Sequence, residues 1–137
     1  MSDVSLLAAL RVGLGSALGA AARWLLALAL SPAASVPGFP WGTLTANATG
    51  AALIGAYAAL AAPGGRFPAS PGQRQFVMAG FCGGFTTFSL FNTEVLAAAQ
   101  AGRLALAAGI VAVSVPLWLA GVWLGHALGR RIVTRGS

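Results

Sequence analysis

Apolar residues fill four long stretches of the chain, at about 4–30, 43–62, 75–99 and 104–128, and polar residues gather between them. Crossing a bilayer as a helix takes roughly 20 predominantly apolar residues. The pattern therefore predicts an all-α integral membrane protein: one four-span domain covering residues 1–137. The connectors are short. Residues 31–42 are proline-bearing and uncharged, 63–72 are rich in Pro and Gly with one Arg66, and Ala101-Gly102-Arg103 reads as a tight turn. Residues 25–35 run from apolar to small, as a signal peptide does. Arg23 interrupts that run and three more spans follow, so the segment reads as a retained helix.

The third stretch departs from the pattern. Its middle reads Gly80-Phe81-Cys82-Gly83-Gly84-Phe85-Thr86-Thr87-Phe88-Ser89-Leu90-Phe91-Asn92-Thr93-Glu94. Gly83 and Gly84 lack a Cβ and are entropically costly in a helix, while Thr86 and Thr87 are stiff at χ1 and can bond to the backbone instead. This predicts a third helix broken near mid-membrane, between Gly83 and Thr87. Bare peptide groups in hydrocarbon cost several kcal/mol each (order of magnitude), so such a break must be buried in protein or line an ion site.

Composition sharpens this reading. The 137 residues are 58% hydrophobic and 7% charged, and mean hydropathy is +0.83. The net charge of +6 comes from arginine alone. Those arginines lie at segment ends instead of clustering on a polar face, which argues against nucleic acid and for membrane orientation. Arg11, Arg66, Arg74, Arg130, Arg131 and Arg135 fall on one side and Arg103 on the other, with Arg23 in or near the first span. The positive-inside rule then places both termini in the cytoplasm. One cysteine and one histidine supply neither an internal disulfide nor a metal-ligand set. No nucleophile–base pair or paired carboxylates appear, and Gly83-Gly84 lacks the Lys-Ser/Thr of a phosphate loop, so an enzyme is not expected. Four short spans cannot enclose a pathway alone, which points to an oligomer. Gly15 and Gly19, and Gly121, Gly125 and Gly129, have the four-residue spacing that lets helix backbones approach closely.

Candidate chemistry gathers around the break. Phe88 and Phe91 share a helix face; they are either packing aromatics or a pair whose positive ring edges meet an anion. The neighbouring Thr87, Ser89 and Asn92 favour the second reading. Asn47 is either interhelical glue or an anion donor. Glu94, a carboxylate within a span, is either functional or a helix-end group pairing with Arg103 or water. Arg23 anchors the first helix at the headgroups or draws anions into a vestibule. Cys82 reads as a small core residue and His126 as an interfacial one.

These residues resemble the Fluc fluoride channels of prokaryotic cell membranes. The likeness is carried by the 80–91 motif with Glu94 following, by Gly42-Thr43-Leu44, Asn47 and Gly50, and by Gly15, Gly19 and Arg23-Trp24; it covers nearly the whole chain. The resemblance implies an antiparallel dimer with two pores that exports cytoplasmic fluoride passively. It implies that Phe88, Phe91 and Asn47 line the pore with Ser89 and Thr87, and that Ser114 fills a polar slot in the fourth span. It further implies that main-chain carbonyls of Gly83 and Thr86 hold a structural, untransported Na⁺ at the dimer centre. Leu90 stands where the family commonly has Thr, Asn92 where Ser is frequent, and Ile110 where a polar residue is common; Pro116 predicts a kink. The arginine asymmetry leaves two partners open: a second copy of this chain, or an oppositely oriented paralogue. Two rival readings are a small four-span multidrug transporter, which would want a carboxylate deep in the first span, and a non-conducting assembly subunit, which leaves the break unexplained.

Overall fold

The computed structural model describes residues 3–30, 38–63 and 67–134, and these form helices without any strand. Helix α1 is Asp3–Leu30 and α2 is Trp41–Leu60. Helix α3 covers 71–85 in three joined pieces: α-helical at Pro71–Arg74, π-helical at Gln75–Cys82 and α-helical again at Gly83–Phe85. Helix α4 is Phe88–Gln100 and α5 is Leu104–Thr134. Arg66 and Arg135 lie outside the described residues, as does most of the first connector.

The boundaries differ from expectation where caps decide them. α3 begins at Pro71 instead of residue 75 because Ser70 accepts from the Gln73 N–H while the Gln73 side chain accepts from the Ser70 N–H. This reciprocal cap satisfies two donors that a helix start otherwise leaves bare. α5 runs to Thr134, beyond residue 128, and stays helical through Pro116. The α4–α5 turn closes at Gly102, whose φ of 75° lies in the left-handed region that glycine enters without a Cβ clash.

Two seams organise the packing: α1 against α3, and α2 against α5, with α4 folded back onto α5. Small residues make both seams. A Cβ on Gly80 would come within 3.0 Å of Gly15 Cα, and one on Gly129 within 2.8 Å of the Ala56 carbonyl oxygen. Backbone meets backbone there, as membrane helices require when lipid offers no hydrophobic drive to associate. A small apolar cluster of Phe91, Ala98, Ala107 and Ile110 joins α4 to α5.

The outer surface is the inverse of a soluble protein's. Leu10, Leu14 and Leu18 of α1 are 54–62% exposed, and Leu119, Trp123 and Leu128 of α5 are 57–69% exposed. Within these two helices, Leu6–Leu30 and Leu104–Thr134 are long and apolar enough to cross a bilayer. An apolar surface this extensive calls for lipid or a partner to cover it.

Candidate functional site

The third crossing breaks at the threonines and not at the glycines. Gly83 and Gly84 are helical, with Gly83 φ −63° and ψ −37°. The chain turns extended at Thr86 (φ −86°, ψ 159°) and Thr87 (φ −150°, ψ 118°), then α4 starts at Phe88. The expected break is present, at the C-terminal end of the Gly83–Thr87 window, and Gly84 has another task. Gly84 packs onto Ser16 of α1 so closely that any Cβ would overlap the Ser16 backbone.

The peptide groups freed by the break have identifiable partners. Thr86 N–H and Thr86 Oγ1 both donate to the Cys82 carbonyl, at 3.0 and 2.9 Å. Thr87 N–H donates to Asn47 Oδ1 at 2.7 Å, and Asn47 Nδ2 donates back to the Thr87 carbonyl at 2.9 Å. The buried Asn47 amide thus replaces the missing turn of helix. Thr87 Oγ1 accepts from the Leu90 N–H at 3.2 Å, capping α4. Arg23 Nε reaches the Gly84 carbonyl at 3.4 Å, tying α1 to the end of α3.

Two carbonyls lose their usual helical donors as a result. The N–H that would close onto Gly83 belongs to Thr87 and goes to Asn47; the one that would close onto Thr86 belongs to Leu90 and goes to Thr87 Oγ1.

Phe88 and Phe91 lie side by side, with ring centroids 5.7 Å apart and planes tilted by 35°. Phe91 is 5% exposed and Phe88 65%, so the pair leads from the interior to the surface of the protomer. Trp118 meets Phe91 edge-on at 4.8 Å. A cavity of about 210 Å³ lies beside them, lined by Asn47, Ala51, Thr86, Thr87, Phe88 and Trp118. Ser89 is exposed, with its hydroxyl 3.3 Å from Thr87 Oγ1, and Ser114 is buried in α5. A larger cavity of about 780 Å³ near Arg11, Tyr57 and Gln73 contains none of the candidate residues.

Glu94 receives the Thr43 hydroxyl on Oε1 at 2.7 Å, and its Oε2 is buried without a partner among the described residues. The sequence reading named neither Thr43 as its partner nor Trp118 as the neighbour of Phe91. Trp118 was within reach, because it lies one turn beyond Ser114 on the same face of α5. The Thr43–Glu94 contact joins different helices and left no local signal.

The structure thus gathers Asn47, Thr86, Thr87, Phe88 and Phe91 about the break, with Arg23 on its α1 side. Among the described residues no group of three His, Cys, Asp or Glu side chains converges to hold a metal. Thr87→Val should keep the extended backbone and the Asn47 clamp while losing the α4 cap, costing about 1 kcal/mol. Unfolding in mixed detergent micelles measures this; an unchanged midpoint would mean that the cap does not stabilise α4.

Comparison with known proteins places the chain in a family. Residues 10–126 match the family model described as "CrcB-like protein, Camphor Resistance (CrcB)". The chain is 49% identical over 120 residues to a fluoride-specific ion channel FluC 1 of Bradyrhizobium diazoefficiens, covering 88% of this chain and 82% of that one. It is 48% identical over 122 residues to a fluoride-specific ion channel FluC 1 of Rhodopseudomonas palustris, covering 88% and 85%. It is also 45% identical over 125 residues to a fluoride-specific ion channel FluC of Rhodospirillum rubrum, covering 91% and 95%.

Proposed function

Since the chain belongs to the CrcB-like Fluc family of membrane ion channels, we propose that it is a fluoride-selective channel relieving cytoplasmic fluoride accumulation. The observation that carries this reading is the Thr86–Thr87 break, which brings Asn47 and Phe88 to one cavity, with Phe91 packed beside Phe88. Fluoride is small and strongly hydrated, so a pore must replace its water with donors. Asn47 spends one N–H on Thr87 and retains a second. Thr87, Ser89 and Ser114 offer hydroxyls, and the phenylalanine rings offer positive edges that attract an anion without a fixed cation to trap it.

In this reading two protomers pair antiparallel in the cell membrane and form two pores, each protomer crossing four times with both termini cytoplasmic if its orientation is fixed. The exposed Phe88 and the apolar outer faces suit such a partner. A structural Na⁺ sits at the dimer centre, held by Gly83 and Thr86 carbonyls of each protomer. These are hard oxygen donors, and both lack their usual helical N–H. Gly83 is exposed and has no Cβ to obstruct approach. Arg23 and Glu94 flank the path as vestibule or gating residues. The partner is a second copy of this chain or an oppositely oriented paralogue. The multidrug-transporter alternative gains no support, because the deep ionisable positions of α1 are Arg11 and Arg23.

The deciding experiment reconstitutes the purified chain in liposomes loaded with fluoride and follows efflux with a fluoride electrode. Rapid fluoride efflux without matching chloride efflux is expected. Robust efflux from the chain alone would establish the homodimer, whereas efflux only with a paralogue would establish the heterodimer; none in either case would refute the channel. Phe91→Ile removes the ring edge shared with Phe88 and Trp118 and should slow efflux about tenfold while the dimer still assembles. Wild-type efflux from that variant would count against the phenylalanine path.

A further inference from the structure

Arg11 is a cation of α1 that the proposed fluoride path does not use. It is half-buried, and its side chain meets no hydrogen-bond acceptor or carboxylate among the described residues. Its guanidinium rests on the start of α3: a Cβ on Gly72 would lie 2.6 Å from Nη1, 2.7 Å from Cζ and 3.0 Å from Nε. Arg11 and Gly72 both line the cavity of about 780 Å³. The charged end of the side chain, and not its stem alone, therefore borders that space. Its nitrogens are not sealed in either, because the fully buried side-chain atoms without a partner among the described residues are Glu94 Oε2 and Trp118 Nε1.

This cation lies within an apolar run. The span-length stretch of α1 begins at Leu6, so Arg11 sits about 7.5 Å along the axis from its start. Leu7, Leu10 and Leu14 around it are 48–62% exposed. An arginine at that depth needs an anion beside it, and its long stem lets the head reach towards the headgroups. The cavity wall narrows the class of anion. Away from Arg11 and Gln73 it is largely apolar, with Phe67, Phe76 and Val77, and the Phe67 ring is 63% exposed. A free hydrated anion gains nothing from such a wall, whereas acyl chains do. No acidic side chain lines the cavity to receive the ammonium of a zwitterionic headgroup.

We infer that this cavity seats an anionic phospholipid, with the phosphodiester on the Arg11 guanidinium and the upper acyl chain against Phe67, Phe76 and Val77. A planar guanidinium presents paired N–H donors that match phosphate oxygens bidentately. The bound lipid would bridge α1 and the start of α3, where the guanidinium already rests on Gly72. Either orientation of the chain brings the site to a leaflet, so the inference depends neither on the topology nor on the fluoride reading.

Native mass spectrometry of the purified chain, delipidated in neutral detergent, tests this. Dioleoylphosphatidylglycerol should be retained saturably, one molecule to each protomer. Dioleoylphosphatidylcholine should bind about tenfold more weakly, and dioleoylglycerol, which lacks the phosphate, should not be retained. Arg11→Gln should weaken phosphatidylglycerol binding about tenfold. Arg130→Gln, the same loss of charge at an exposed position of α5, should leave it unchanged. Ala69→Trp puts a large ring on the cavity wall while keeping Arg11, and should also abolish retention; it carries the test if Arg11→Gln fails to fold. Equal retention of dioleoylphosphatidylcholine or dioleoylglycerol would overturn the proposal. Sodium phosphate displacing the lipid at equal concentration would assign the site to free phosphate and overturn it as well. Undiminished binding by folded Arg11→Gln or Ala69→Trp would do the same.

Discussion

Asn47→Asp should reduce fluoride efflux by about a hundredfold or more, with little change in the low chloride efflux expected of the unsubstituted protein. The side chain keeps its shape and loses its two N–H donors. Oδ1 can still accept from Thr87 N–H, so the start of the clamp survives. The return bond from Nδ2 to the Thr87 carbonyl does not, and two oxygens then face one another. More important for an anion, an ionised carboxylate lines the cavity where an amide had donated. A lost hydrogen bond to a charged ligand is worth about 1.5–3 kcal/mol, and like-charge repulsion in a poorly hydrated site adds to it. At 1.4 kcal/mol per factor of ten, the two effects together reach about two decades. Asn47→Ala separates them: it breaks both halves of the clamp without adding charge. If Asn47→Asp conducts as well as wild type while Asn47→Ala does not, the amide serves only to hold the break and fluoride passes elsewhere.

The dual duty proposed for Asn47 accounts for its ambiguity in the sequence. Interhelical glue and anion donor looked like alternatives, whereas an amide has two N–H bonds and can spend one on Thr87 while offering the other. The third-helix break was legible because glycines and threonines are out of place in an apolar run. Its place within the Gly83–Thr87 window was not. Helix propensity counts Gly83 and Gly84 as breakers, but at Gly84 tertiary contact overrides it, since only glycine lets Ser16 sit where it does. The break falls instead where Thr86 returns a hydroxyl to Cys82 and Thr87 caps the next helix. The π-helical turns at Gln75–Cys82 had no signature in the sequence. They lie where α3 packs on α1, with Gly15 and Gly80 in close backbone contact. The four apolar stretches reported the helices well, because hydropathy registers what the outside of each helix faces. Contacts such as Thr43–Glu94 and Phe91–Trp118 lie between stretches and are invisible to any periodicity.

Gly84→Leu should prevent folding, whereas Gly83→Ala one residue earlier should not, and the contrast isolates packing from propensity. Both positions are helical, so both substitutions improve intrinsic helix propensity, Gly→Ala by about 0.8–1 kcal/mol. Their surroundings are opposite. A Cβ on Gly84 would overlap the Ser16 carbonyl and lie 2.7 Å from Ser16 Cα, where the obstructing atoms are backbone and cannot swing aside. A Cβ on Gly83 meets nothing closer than the Met78 carbonyl at 3.9 Å. Forcing α1 away from α3 would also lengthen the Arg23–Gly84 contact, already 3.4 Å, and the Ser16–Gly80 hydrogen bond at 3.3 Å. Overpacking commonly costs 1–3 kcal/mol, and a leucine against immobile backbone exceeds that, a large share of a total stability of about 5–15 kcal/mol. Size-exclusion chromatography in mild detergent checks this directly: Gly84→Leu should be lost as aggregate, and Gly83→Ala should yield folded protomer. A monodisperse, conducting Gly84→Leu would show that the α1–α3 seam is not built as described. The fate of Gly83→Ala carries separate information, because its carbonyl belongs to the proposed Na⁺ site and its Cβ would point to open space. Folded protomer that no longer dimerises would place the Gly83 surface in the subunit contact, and a normal dimer would leave that surface free.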